Sequence, residues 1–197
     1  MIRTKEDLKE YLIADCKAQY SEQSWLERRR NKVFRMKVLL RKSEYHLNNK
    51  KHSLYHKLMY KWYWHRCSRI QMLFCSEINP NVFGKGLIIW HPERIITNVD
   101  ARVGDYCSIS SGVVIAQAHN RSPQIGNSVE FMIDSKALGG ITIADHVRIG
   151  ANTMVIKDIM EPNTTWGGSP AYKISDRGTI DVPVPGMPIT GSSLFSV

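Results

Sequence analysis

Between Ile125 and Met160 an apolar residue returns every six positions: Ile125, Phe131, Ala137, Ile143, Ile149 and Val155. The fifth position of each six is mostly Val or Ile, and the second is often small. An amphipathic helix repeats its apolar residues every 3.6 positions and a half-buried strand every 2. A strict six suits neither. It suits a coil of short flat strands, each sending one aliphatic side chain inward before the chain turns a corner, which is the hexapeptide repeat of a β-helix. The phase is already present at Thr97, Val103, Ile109 and Ile115. It stretches between Ile89 and Thr97, and it slips by four residues between Ile115 and Ile125, so a loop is expected to leave the coil there.

The chain has 197 residues, enough to bury a sizeable core. No apolar run approaches the ~20 residues that span a bilayer. The N-terminus leads into charge, not into an apolar secretory segment. A cytoplasmic location is expected. Cys16, Cys67, Cys75 and Cys107 have neither metal-site spacing nor a disulfide framework, and are expected to be reduced. The net charge of +9 is segregated: residues 1–74 hold 18 Lys/Arg against 7 Asp/Glu, and residues 75–197 hold 9 against 11. That suggests either a solvated helical surface or an anionic neighbour, such as the inner face of a membrane. No nucleic-acid-binding motif accompanies the charge.

Residues 1–74 read as an α-helical N-terminal domain. Thr4 and Asp7 make an N-cap arrangement, and Leu8, Leu12 and Cys16 then share a face. From Ser24 to Leu47, Trp25, Val33, Met36, Leu39, Leu40 and Leu47 follow helical intervals, and a third helix is expected from Ser53 to Phe74. Its aromatic cluster of Tyr60, Trp62, Tyr63 and Trp64 reads as packing against a neighbouring helix or subunit. Helical spacing ends near Cys75, where Asn79-Pro80-Asn81 and Gly84-Lys85-Gly86 bring turns. The hexads define a domain over 75–174. The tail, 175–197, carries Pro183, Pro185, Gly186, Pro188 and Gly191, and is expected to be extended, loosely held or packed along the outside of the coil.

Three stretches resemble the hexapeptide-repeat acyltransferases, and within them the serine acetyltransferase branch. The segment from Glu77 through Asn79-Pro80 to His91 is similar to that branch's acid-Ile-His-Pro segment, which leads to a catalytic Asp-His pair. Arg121-Ser-Pro-Gln-Ile-Gly126 resembles its Arg-His-Pro-Lys-Ile run, and Gly167-Gly-Ser-Pro-Ala171 its terminal Gly-Val-Pro-Ala. The opening Glu6-Asp-Leu-Lys-Glu-Tyr-Leu12 looks like relatives encoded among surface-polysaccharide genes. The resemblance implies a left-handed parallel β-helix and acetyl-CoA as co-substrate. It also implies a homotrimer or dimer of trimers, with active sites in clefts between neighbouring coils.

Acetyl transfer to a hydroxyl needs a base, and imidazole has a pKa suited to the task. A carboxylate on its far nitrogen would fix the tautomer, and a donor must meet the thioester oxyanion. His46, His52, His56 and His65 lie in the basic helices, where packing or exposure accounts for them. By the resemblance, His91 is the base and Glu77 its acidic partner, although the family typically has Asp there. Glu93 and Asp100 compete with Glu77. His119, in the loop Gln117–Arg121, is the rival base or an acceptor-binding residue. His146 falls in mid-hexad and should face outward. A zinc site built from His91, His119 and His146, as in the γ-class carbonic anhydrases, lacks that family's close ligand spacing, and no metal is expected. Coenzyme A should lie along the C-terminal turns. There Ala137, Gly139, Gly140, Gly150 and Ala151 are small, Gly168, Ser169 and Ala171 border the same region, and Lys173 offers a point charge for a phosphate. No Walker or dinucleotide glycine motif is present. The acceptor is the open point. The serine enzymes place Asp before the catalytic His to hold the substrate ammonium; here Trp90 stands there, and an indole suits a sugar ring. Arg121 retains the capacity to clamp a carboxylate. The expected acceptor is therefore a sugar hydroxyl of a surface polysaccharide or its precursor, with L-serine as the alternative. A non-catalytic β-helix scaffold is the reading of a different class.

Overall fold

The computed structural model describes residues 1–51 and 53–188. His52, assigned above to the basic helices, and the 189–197 part of the tail lie outside the described residues. Four helices come first: α1 (Lys5–Tyr20), α2 (Trp25–Arg30), α3 (Lys32–Asn49) and α4 (Leu54–Leu73). Thr4 caps α1 as expected. Its side chain accepts from the Asp7 N–H at 3.0 Å, while the Asp7 carboxylate accepts from the Thr4 and Arg3 N–H groups. These backbone donors hold the Asp7 carboxyl below its ordinary range. The single helix expected from Ser24 to Leu47 is two. Asn31 leaves helical geometry (φ −68°, ψ 117°), and its side-chain oxygen accepts from the Phe34 N–H at 3.0 Å, ending α2 and starting α3. A short amide that can serve the backbone itself competes with helix continuation.

The hexads then wind into three parallel faces. Face one carries β1 (Ile88–Ile89), face two β2 (Ile96–Thr97), and face three β3 (Arg102–Val103). The next turns add β4 (Ser108–Ile109), β5 (Val114–Ala116) and β6 (Gln124–Ile125), then β7 (Glu130–Phe131), β8 (Lys136–Leu138) and β9 (Thr142–Ile143). β10 (Arg148–Ile149) extends face one, β11 (Met154–Val155) face two, and β12 (Thr165–Gly167) face one again. There β13 (Tyr172–Ser175) folds back antiparallel to it. The hexad residues form the ladders inside. Ile89, Ile109, Phe131 and Ile149 stack on face one, Thr97, Ile115, Ala137 and Val155 on face two, and Val103, Ile125, Ile143 and Ile159 on face three. All twelve are buried. Burial of one such aliphatic side chain contributes about 1.5–3 kcal/mol.

Registers give the length of each turn. Ile88 pairs with Ser108, Ser108 with Glu130, Glu130 with Arg148 and Arg148 with Thr165, so successive turns hold 20, 22, 18 and 17 residues. Three hexads make 18. The two extra residues of the first turn lie between β1 and β2, and the four extra of the second lie between β5 and β6. These are the stretch and the slip seen in the sequence.

β1 begins face one, so one edge of it lacks a strand partner and its backbone groups need other partners. The helices supply them. The Leu87 N–H donates to the Asp15 carboxylate at 2.9 Å, the Ile89 N–H to Gln19 Oε1 at 3.1 Å, Gln19 Nε2 to the Ile89 carbonyl, and Lys37 Nζ to the Leu87 carbonyl. Arg41, fully buried, donates to Asp15 at 2.8 Å, to Glu44 at 3.1 Å and to the carbonyls of Phe83 and Gly84. Met36, Leu40 and Cys67 of the helices join the coil residues in one continuous core. The described part of the tail packs along the outside of face one. Thr179 meets His146 and the Ser128 carbonyl, and Val184 and Met187 bury against Ile88 and Ala18. Gly186, at φ 87°, passes so close to the Ala18 carbonyl that a Cβ would overlap it.

Candidate active site

The two insertions place the two candidate bases. His91 lies in the connection from face one to face two, and His119 in the connection from face two to face three. The His91 segment is firmly held. The Trp90 N–H donates to the Ile109 carbonyl at 3.1 Å, Ser76 Oγ donates to the Pro92 carbonyl, the Arg94 N–H donates to the Phe74 carbonyl at 2.9 Å, and Pro92 is buried. Its strand, β1, is the one clamped by Asp15, Gln19 and Lys37. Trp90 and His91 are exposed on this fixed support. Among the described residues the His91 ring has no hydrogen-bond partner in its own chain.

The His119 loop is a tight hairpin. Ala118 and Arg121 exchange both backbone hydrogen bonds, at 3.0 and 3.1 Å, and the two residues between them have positive φ (His119 51°, Asn120 58°). That is the geometry of a two-residue turn with both central residues left-handed. The loop rests on the glycines of the next turn. A Cβ on Gly140 would come within 2.5 Å of the Arg121 Cβ, and one on Gly139 within 3.4 Å of the Ala118 Cβ. Ser122 Oγ donates to Asn98 Oδ1 at 2.9 Å, tying the loop to the turn below. His119 and Arg121 are exposed at the hairpin tip.

Several sequence-based expectations need correction. Glu77 does not pair with His91 within the chain. Its carboxylate accepts from Asn79 Nδ2 at 3.3 Å, and Asn79 also donates to the Thr97 carbonyl. Asp100 lies in the connection from face two to face three, on the edge away from His91, whereas Glu93 shares the His91 segment. Ala137 is an interior ladder residue with no exposed surface, so a ligand outside the coil cannot reach it. Gly139 and Gly140 make room for the His119 loop. Gly150 fits under the Trp166 carbonyl, which a Cβ would approach to 3.2 Å. Gly168 (φ 94°) turns the chain beside the Tyr172 ring. Ala151 and Ser169 are exposed and Ala171 is half-buried. The 168–171 turn extends face two: the Met154 N–H donates to the Gly168 carbonyl and the Ala171 N–H to the Met154 carbonyl, both at 2.9 Å. Lys173 is not a free point charge, because Glu161 at 2.6 Å and Asp176 at 2.9 Å both pair with it and push its pKa up.

The candidates therefore fall on two edges of face two. One edge carries Trp90, His91, Gly150 and Ala151, with the 168–171 turn at its top. The opposite edge carries His119 and Arg121 on their glycine seat. His146 stands in the connection from face three to face one, under Thr179. The three histidines thus occupy three different edges of one coil. Among the described residues no three His, Cys, Asp or Glu side chains come together as metal ligands would.

Comparison with known proteins gives one consistent direction. No protein-family model matches the chain. Over 102 residues it is 36% identical to a serine acetyltransferase of Synechococcus elongatus, an alignment covering 49% of this chain and 42% of that protein. The chain thus spans less than half the length of that curated relative. A crystal structure of serine acetyltransferase from Brucella abortus strain S19 superposes with a TM-score of 0.70 at 25% identity, covering 88% of this chain and 71% of that one. A structure of serine acetyltransferase from the same strain in complex with coenzyme A superposes with a TM-score of 0.64 at 22% identity, covering 88% and 68%. Matches of this coverage take in the helices as well as the coil. The fold is a β-solenoid preceded by a helical region, as in serine acetyltransferases.

Proposed function

We propose that the protein is an acetyl-CoA-dependent O-acetyltransferase of the serine acetyltransferase type, with His91 as the general base. The observation that carries this reading is the placement of His91. It sits exposed in a two-residue insertion at the coil's edge, on a strand whose free backbone groups the helices have clamped. A hydroxyl is a poor nucleophile until its proton is removed, and an unpaired imidazole carried on a firmly held backbone is positioned to take that proton. Attack on the thioester carbon forms the new ester bond as the C–S bond breaks. The proton then passes from the imidazolium to the departing coenzyme A thiolate.

The second edge supplies what the first lacks. His119 and Arg121 project from the far side of face two, and two coils standing side by side can bring one copy's His91 edge against another copy's loop edge. This supports a cleft between subunits and an assembly larger than a monomer. The coenzyme A arm would lie there against Ala151, Ser169 and Ala171 of one edge. Arg121, a planar cation on a rigid turn, fits a carboxylate on the acceptor. The names of the similar proteins and that cation together favour L-serine as acceptor. A second reading, a sugar hydroxyl of a surface polysaccharide or precursor, rests on Trp90. That indole is 41% exposed beside the base, where a sugar ring can stack on it. Coenzyme A release from acetyl-CoA, followed with L-serine and with a panel of mono- and disaccharides, separates the two. Turnover with L-serine at a kcat/KM of about 10⁴ M⁻¹s⁻¹ or above supports the first reading. Turnover only with saccharides supports the second, and no release with any hydroxyl acceptor removes both.

A further inference from the structure

The helical region carries a feature that acetyl transfer does not use. Two contiguous hollows of about 510 and 570 Å³ run between α3 and α4, sharing Arg35, Leu39 and Arg66. Their walls hold six cations (Arg29, Lys32, Arg35, Lys42, Arg66 and Arg69) and no carboxylate. The acids of the surrounding segment are occupied elsewhere, since Glu27 closes the cap at Ser24 and Glu44 is buried against Arg41. Among the described residues none of the six cations makes an ion pair. Three of them stand over aromatic rings: Arg66 over Trp62 at 4.8 Å, Arg29 over Trp25 at 4.6 Å and Lys42 over Tyr63 at 5.5 Å. Beside them large apolar side chains face solvent, with Trp25 61%, Leu73 65% and Met72 74% exposed. Along α4 the groove runs from Trp62 to Leu73, about 16 Å at 1.5 Å per residue.

We propose that this groove and its apolar rim dock the protein on an anionic phospholipid surface, with the cations at the headgroup phosphates and Trp25, Met72 and Leu73 in the interface. Charge complementarity selects the occupant. A second copy laid on the same groove would set unpaired cations against unpaired cations, which disfavours self-association there. A soluble polyanion would satisfy the cations but leave the exposed Met72, Leu73 and Trp25 in water. An anionic bilayer meets both needs, offering phosphates and adjacent hydrocarbon, and aromatic rings favour that boundary. Among the described residues no helix is long and apolar enough to cross a membrane, so the contact is peripheral. Independently of which acceptor is used, such docking would hold the catalytic coil beside the membrane.

The test is co-sedimentation of the full chain with vesicles of phosphatidylcholine containing phosphatidylglycerol, and with vesicles of phosphatidylcholine alone. Binding is expected to the anionic vesicles only, and to weaken as salt rises through the physiological range, where screening acts over about 8 Å. Each basic residue near an anionic leaflet is worth about five-fold in binding. The double variant Arg66→Gln/Arg69→Gln should therefore bind about 25-fold more weakly. The control Lys9→Gln/Lys17→Gln, which removes the same charge from α1, should change binding less than two-fold. Leu73→Ser should weaken vesicle binding without changing retention on a soluble polyanion such as heparin. Equal loss in the control pair would overturn the groove. Equal binding to neutral vesicles, or unchanged vesicle binding by Leu73→Ser, would overturn the bilayer. All these positions are exposed, and circular dichroism verifies that each variant is folded.

Discussion

Replacing Arg41 with Met tests how the helices hold the catalytic edge. The Arg41 guanidinium has no exposed surface, and it donates to Asp15 at 2.8 Å, Glu44 at 3.1 Å and the Phe83 carbonyl at 2.9 Å. Met fills most of the volume, so the main loss is electrostatic. Asp15 keeps the Leu87 N–H and Glu44 keeps the Asn81 N–H, each at 2.9 Å, but both lose the guanidinium, and only Asp15 has a further cation, Lys37, near it. Removing one partner of a buried ion pair costs about 3–5 kcal/mol. For a chain of this size that lowers the melting temperature by roughly 6–20 °C. The pH dependence identifies the cause. Burial already raises the Glu44 carboxyl, and Arg41 opposes that rise. Without Arg41 the folded-state pKa of Glu44 climbs further above the unfolded value, so the folded state takes up protons as pH falls. The penalty is full at pH 7 and shrinks toward the unfolded carboxylate range of about 4. Urea unfolding of wild type and Arg41→Met at pH 7 and pH 5 measures both quantities. Adding Asp15→Asn and Glu44→Gln to Arg41→Met should recover more than half the loss at pH 7. A cost below about 1 kcal/mol, or the same cost at both pH values, would refute the reasoning.

Lys37 makes a separate pH prediction. Burial pulls its pKa from 10.5 down to about 8, with Asp15 opposing and Arg41 adding to the shift. Between those values the unfolded chain binds the proton and the folded chain releases it, so stability should rise as pH goes from about 8 to 10.5. Lys37→Met should abolish that rise in a chemical-denaturation series. Gly140→Val places a side chain where the Arg121 Cβ already stands, 2.5 Å from the added Cβ, so the His119 hairpin must move. A displacement of ~1 Å costs roughly 10²-fold in acceptor kcat/KM, and coenzyme A affinity should hold. If acceptor kinetics are unchanged, the loop does not contribute to the site.

The coil was legible because its signal is repetitive. Each hexad residue from Thr97 to Val155 is a buried ladder residue, and the two departures from phase are the two insertions that carry His91 and His119. What escaped sequence reading depends on partners distant along the chain. Arg41 and Lys37 read as two more charges in a basic helical region, yet they bury against Phe83, Gly84 and Leu87, some forty to fifty residues away. Gly139 and Gly140 read as space for a ligand, whereas the Arg121 loop fills it. Ala137 keeps the hexad phase and so belongs to the interior, a signal the small-residue argument overrode. The break at Asn31 was readable in principle, since Asn is a favoured capping residue. The tail's Pro and Gly spacing carried no sign that Val184 and Met187 would find Ile88 and Ala18.

The most direct measurement is steady-state coenzyme A release by wild type, His91→Ala and His119→Ala, with calorimetric titration of coenzyme A. Loss of a general base costs about 10²–10⁴-fold in rate and leaves donor binding intact. His91→Ala should therefore lose kcat by that factor with coenzyme A affinity unchanged, while His119→Ala mainly raises the acceptor KM. Wild-type kcat in His91→Ala, with the loss falling instead on His119→Ala, would move the base to the loop and contradict the assignment.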